Sequence, residues 1–181
     1  MILGFQISGP DNDSYMVVDA PDAPRCPSCG FALDHTWINP HFILKVKRWD
    51  VSATYDGYTI VSQRFREALG DRGAVYGHLP AEPSFFTLRA EEQVEFDAER
   101  RRTRFTHFCN ECQRFTQIAG ATPVFLKNEA RLPDELRRTD ILFGSKDGQH
   151  PLLLVGPGLA ADLRRADLAG LDLHTIDDSR P

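Results

Sequence analysis

The chain has 181 residues, with 21 basic and 26 acidic side chains and a net charge of −5. A chain this long buries about 70% of its unfolded surface as one domain, or one domain with a small subdomain, so it needs no metal for want of a core. The acidic balance argues against general affinity for a phosphate backbone, which wants a basic face, and no apolar run approaches the roughly 20 residues of a membrane span.

Residues 1–8 read as a strand with Leu3, Phe5 and Ile7 on one face. No basic residue precedes this stretch and Asp11 and Asp13 soon follow, so it is no secretory signal, and a soluble, cytoplasmic protein is expected. After a turn, residues 15–18 are expected to form a second strand, and Pro21 and Pro24 lead into Cys26-Pro27-Ser28-Cys29. Residues 42–49 and 51–55 read as extended, with a turn at Asp56-Gly57. A strand at 59–61 runs into Ser62, which caps a helix over 63–69 that ends at Gly70. Residues 71–83, rich in Gly and Pro, read as a loop.

Strands are expected at 84–89, 93–97 and 103–108, the last running into Cys109-Asn110-Glu111-Cys112. The basic run Arg100-Arg101-Arg102 then falls at a solvated hairpin tip. Residues 117–132 are irregular apart from a short strand expected at 123–126, and 133–138 read as a short helix whose charges suit its dipole. Ile141-Leu142-Phe143 is extended and Asp147-Gly148 turns. The apolar run 151–155 reads as a buried strand, Pro157 opens a helix, and 171–176 closes the chain as an edge strand. The class is α+β, mainly antiparallel strands with about three short helices and a zinc-ribbon-like pair of knuckles carrying four cysteines. It is expected to be a single domain, 1–181, with a zinc-knuckle subdomain formed by about 20–45 and 84–116.

The chain has 4 cysteines, and the two C-x-x-C pairs use all of them. Two intervening residues let both thiolates of a knuckle reach one ion, and two knuckles complete a tetrahedron. The spacing therefore predicts a structural zinc site of Cys26, Cys29, Cys109 and Cys112. Residues 30–108 separate the pairs, against roughly 15–20 residues in a compact ribbon, so the fold must dock them. A redox dithiol and two structural disulfides are the alternatives. Pro24 before and Gly30 after the first pair favour a turning knuckle over the helix N-terminus a redox pair uses, and disulfides require an oxidising compartment.

Other chemistry is sparse. There is no phosphate-binding loop, no dinucleotide-binding glycine fingerprint and no His-Glu-x-x-His, and the 6 histidines are scattered. His35 and His41 flank Trp37, and His107, two residues before Cys109, reads as a strand side chain or a donor behind the ligands. Four protein ligands leave zinc no position for water, so no catalysis is expected.

The Cys-Pro-Ser-Cys-Gly knuckle, the second Cys-x-x-Cys past the middle and the chain length resemble the double-CXXCG-motif immunity proteins of the Sit swarm-inhibition toxin systems. Ile60, Val61, Ser62, Arg64 and Phe65, and the tail 151–155 followed by Leu159, Leu163, Leu168, Gly170 and Leu171, extend the resemblance over roughly residues 1–176. It departs at Gln113, where that family has glycine; a different turn is expected there, because glycine admits the positive φ. The resemblance implies a cytoplasmic, non-enzymatic inhibitor that binds a cognate toxin protein, with no direct nucleic-acid or membrane contact. Many such toxins are nucleases with basic clefts, which carboxylates at Glu91-Glu92, Glu95 and Asp97, or Asp177-Asp178 are placed to meet. A zinc-ribbon nucleic-acid-binding or transcription-associated module, and a thiol oxidoreductase, are the alternative readings.

Overall fold

The computed structural model describes residues 1–18 and 20–178; Asp19 and residues 179–181, which the expected span 1–181 includes, lie outside the described residues. The architecture is α+β, with mostly antiparallel strands and three short helices among the described residues. Strand β1 (Ile2–Ser8) sits between β11 (Asp172–Asp177) and β10 (His150–Val155). The sheet continues through β9 (Leu136–Ser145) and β8 (Arg114–Ala119) to β7 (Arg104–Cys109). The two-residue β6 (Gln93–Val94) joins β9 in parallel, the other pairings of this sheet being antiparallel. A second antiparallel sheet runs β2 (Val51–Ala53), β3 (Thr59–Ser62), β5 (Phe85–Ala90), β4 (Ala74–His78).

The run 151–155 earns its central place because both faces of β10 are covered. Leu153 and Val155 enter the main core with Phe5, Val61, Phe86 and Leu136, while Leu152 and Leu154 face a second core with Leu3, Phe96 and Phe143. Helices α1 (Gln63–Leu69) and α3 (Pro157–Arg165) close the main core through Phe65, Leu69, Leu159 and Leu163. Ser62 caps α1, its hydroxyl accepting from the Phe65 N–H, and Gly70 ends it at φ 65. A third core, holding Met16, Phe42, Tyr58, Ile60 and Leu79, covers the other face of the second sheet.

Several local expectations give way to tertiary contacts. Leu3 does not share a core with Phe5 and Ile7, because a register shift between Ile2 and Gly4 breaks the strand's alternation. Residues 15–18 are not a strand: the N–H groups of Met16 and Val17 donate to the buried Asp56 carboxylate (2.9 and 2.6 Å) instead of to a neighbouring strand. Residues 42–49 are likewise irregular, the Leu44 N–H going to Glu82 (3.0 Å). The expected helix at 133–138 is irregular over 133–135 and enters β9 at Leu136, and Asp134 instead caps a different helix, accepting from the Gly158 and Leu159 N–H groups at the start of α3. The stretch 93–97 is strand only at β6. The basic run is no hairpin tip but a one-turn helix, α2 (Ala98–Arg101), capped by Asp97, and the strands on either side of it pair elsewhere. Two strands, β4 and β8, occupy stretches that read as loop or irregular.

Candidate metal centre

The two knuckles converge. Cys26 Sγ lies 3.9 Å from Cys109 Sγ, Cys29 Sγ lies 3.7 Å from Cys112 Sγ, and one sulfur from each residue falls within 4.8 Å of all the others. A zinc–sulfur bond of about 2.3 Å places the sulfurs of a regular tetrahedron about 3.8 Å apart, so these four are positioned to hold one metal ion. The same separations are far beyond the roughly 2.05 Å of a disulfide, and all four cysteines are free.

The sheet delivers the second knuckle. Strand β7 ends at Cys109, β8 starts at Arg114, and Cys112 sits in the reversal between them. Gln113 takes φ 56, and its side-chain amide donates to the Asn110 carbonyl. The expected change of turn does not occur: glutamine adopts the left-handed backbone that glycine would supply, and its side chain satisfies the turn in compensation. Gly30 does the matching job in the first knuckle at φ 72, its N–H donating to the Cys26 carbonyl (2.8 Å). Each knuckle thus has a left-handed residue directly after its second cysteine, on unrelated supports.

That first support is a loop, and polar contacts hold it. The Cys26 N–H donates to the Phe31 carbonyl (2.9 Å) and the Leu33 N–H to that of Pro24 (2.9 Å). Arg25 donates to the Val17 carbonyl (2.6 Å) and pairs with Asp147 in the turn between β9 and β10. Gln149, from the same turn, donates to the Phe115 carbonyl (2.9 Å) and so fastens β8. Phe31, 0% exposed, packs with the four cysteines as a small core of its own. The His35 ring meets Phe31 edge-on at 5.5 Å, and the Arg114 guanidinium lies 5.2 Å over it.

Electrostatics divides the thiols. The backbone N–H groups of Cys112 and then Glu111 aim at Cys109 and bring its pKa down to about 6, while burial pushes Cys29 up to about 12 and also raises Cys112. The Cys109 sulfur is thus favoured as an anion while Cys29 and Cys112 resist joining it. A cation at the centre removes that conflict, since coordination deprotonates a thiol outright.

Phe31, Arg25 and Arg114 support this site without standing out in the sequence; the adjacency of Phe31 to Gly30 was the one usable signal. His107 is exposed on β7 and makes no side-chain hydrogen bond among the described residues, so it is not a donor behind the ligands. Burial, and next the Arg114 charge, hold the pKa of His35 below its ordinary value, and its Nε2 has no hydrogen-bond partner. Beside His35 a cleft of about 460 Å³ opens between the two sheets, lined by Leu33, Tyr58, Leu88, Arg89 and Leu142 among others. Its Tyr58 hydroxyl is engaged by the Trp37 carbonyl (2.8 Å) and its Asp56 carboxylate by Met16 and Val17. No helix among the described residues is long and apolar enough to cross a membrane. No protein-family model matches the chain, and no curated protein matches it either.

Proposed function

We propose that this chain is an immunity protein: a cytoplasmic, non-enzymatic inhibitor that binds and neutralises a cognate bacterial toxin, of nuclease type, with zinc as a structural ion on Cys26, Cys29, Cys109 and Cys112. The observation that carries this reading is the closed four-sulfur cluster, with sulfurs at 3.7 and 3.9 Å across the two knuckles. All-thiolate tetrahedra suit zinc, and a filled shell leaves no place for substrate or activated water. The ion then joins the loop before residue 33 to the β7–β8 ribbon and shapes a surface, so the molecule acts by complementarity. The sequence resemblance supplies the kind of partner.

Two experiments test the proposal. Metal analysis of protein purified without added metal should find one zinc per chain, and cobalt exchanged into it should give the visible spectrum of tetrahedral thiolate coordination. Co-expression with the toxin encoded beside this chain should restore growth that the toxin alone abolishes. Growth arrest undiminished by this protein, or purified protein that hydrolyses or reduces substrates by itself, would overturn the reading.

A further inference from the structure

The outer strand of the large sheet has its side chains in water. Strand β7 is the last in the order, and Arg104, Phe105, Thr106, His107 and Phe108 are all exposed. Phe105 is 39% and Phe108 48% exposed, yet neither ring is isolated. Phe115 on β8 touches both, with centroids 5.5 and 5.1 Å away. Two residues three apart in a regular strand point to opposite faces. His107 between them takes φ 57, which breaks the alternation and brings both phenyl rings to Phe115. Left-handed backbone is costly for a residue with a side chain, typically about 1–2 kcal/mol, and here it assembles an aromatic cluster that stays in solvent.

The charges beside the cluster are uncommitted. Arg102 and Arg104 are exposed and their side chains form no ion pair or hydrogen bond among the described residues. The carboxylates the sequence nominated are mostly engaged: Glu92 with Arg137, Glu95 with Lys127, Asp97 at the start of α2, and Asp178 with the Met1 amine. Exposed aromatic and arginine side chains are the types that dominate binding energy at protein interfaces.

We propose that the β7–β8 ribbon is the surface on which the toxin docks, and that the toxin receives it in an apolar recess edged with carboxylates. This rests on the immunity reading and sharpens it: the contact is made to an acidic part of the toxin, beside its phosphate-binding cleft and not within it. A protein partner fits better than a nucleic acid. The rings are tilted by 60° and 62° against Phe115 and do not form parallel platforms for bases. Because the metal cluster closes the end of this ribbon, the ion holds the docking surface in shape.

The test uses the full chain and an inactivated form of the toxin encoded beside it, with binding measured by calorimetry at two salt concentrations. F105S/F108S should bind at least about 30-fold more weakly, the loss of one strong anchor, with metal content and melting temperature unchanged. F105Y/F108Y should stay within a few-fold of the parent. R102E/R104E should weaken binding and flatten its salt dependence, whereas E91K/E92K should not. If the parent protects cells and F105S/F108S binds equally well, the docking assignment is wrong and the immunity reading stands; a parent that neither binds nor protects ends both. A parent that binds a single-stranded oligonucleotide through these phenylalanines, or that dimerises until they are replaced, overturns the assignment in favour of nucleic acid or a second copy.

Discussion

Removing the metal, by chelation or by Cys109→Ser, should loosen one corner of the molecule and leave the rest folded. Structural zinc contributes roughly 10–16 kcal/mol when it binds an unfolded peptide. Ordering backbone costs about 1–2 kcal/mol per residue, so the two knuckle turns alone consume most of that sum. What remains without the ion is small. The four cysteines and Phe31 form a core separate from the three others, β7 is exposed up to Cys109, and few backbone hydrogen bonds hold residues 26–33. Residues 20–23 are held independently, because Ala20 and Ala23 pack in the core of Met16 and Tyr58. Local opening of 26–33 and 104–114 should therefore become easier by at least about 3 kcal/mol, which speeds amide exchange there by about 100-fold. Exchange in β1, β10, α3 and β11 should stay near its original rate. Hydrogen exchange followed by mass spectrometry, with and without chelator, reads both regions in one experiment. Uniform acceleration across the chain, or no change at the knuckles, would refute the reasoning that the ion staples a region with little core of its own.

Three further outcomes are expected. Phe31→Ala removes the fully buried ring under the cluster and should cost about 3–5 kcal/mol in denaturant unfolding while weakening metal retention against a competing chelator. Ser62→Ala deletes both the cap to the Phe65 N–H (3.2 Å) and the bond to Asp50 (2.6 Å); it should cost about 1–2 kcal/mol and lower Tm by about 2–8 °C in calorimetry. Burial and then Arg114 lower the pKa of His35, so the unfolded chain takes up this proton first as pH falls. The contribution is fully present above the ordinary histidine value of about 6.5 and is lost as pH drops from there through the lower folded value; urea midpoints at pH 7.5 and 5.5 should therefore converge more closely in His35→Gln than in the parent.

The amino-acid sequence on its own determined the elements whose cause is local. A continuous apolar run specified β10, Ser62 and Gly70 bounded α1, Pro157 opened α3, and two cysteine pairs with nothing left over announced four clustered sulfurs. It misled wherever a residue serves a distant partner. Asp134 read as a first-turn acid matching the dipole of a helix over 133–138, because charge pattern carries no address, and it caps α3 instead. Residues 15–18 have strand composition, but their N–H groups belong to Asp56, some 40 positions away. Only the tertiary structure could decide how knuckles so far apart meet, since one hangs on a loop held by Arg25 and the other on the end of β7. It also decided that Phe105 and Phe108 both meet Phe115, because the left-handed backbone at His107 follows no side-chain pattern. Spacing encodes what neighbouring residues can do together; the partner each group finally takes is set when separate segments are packed against one another.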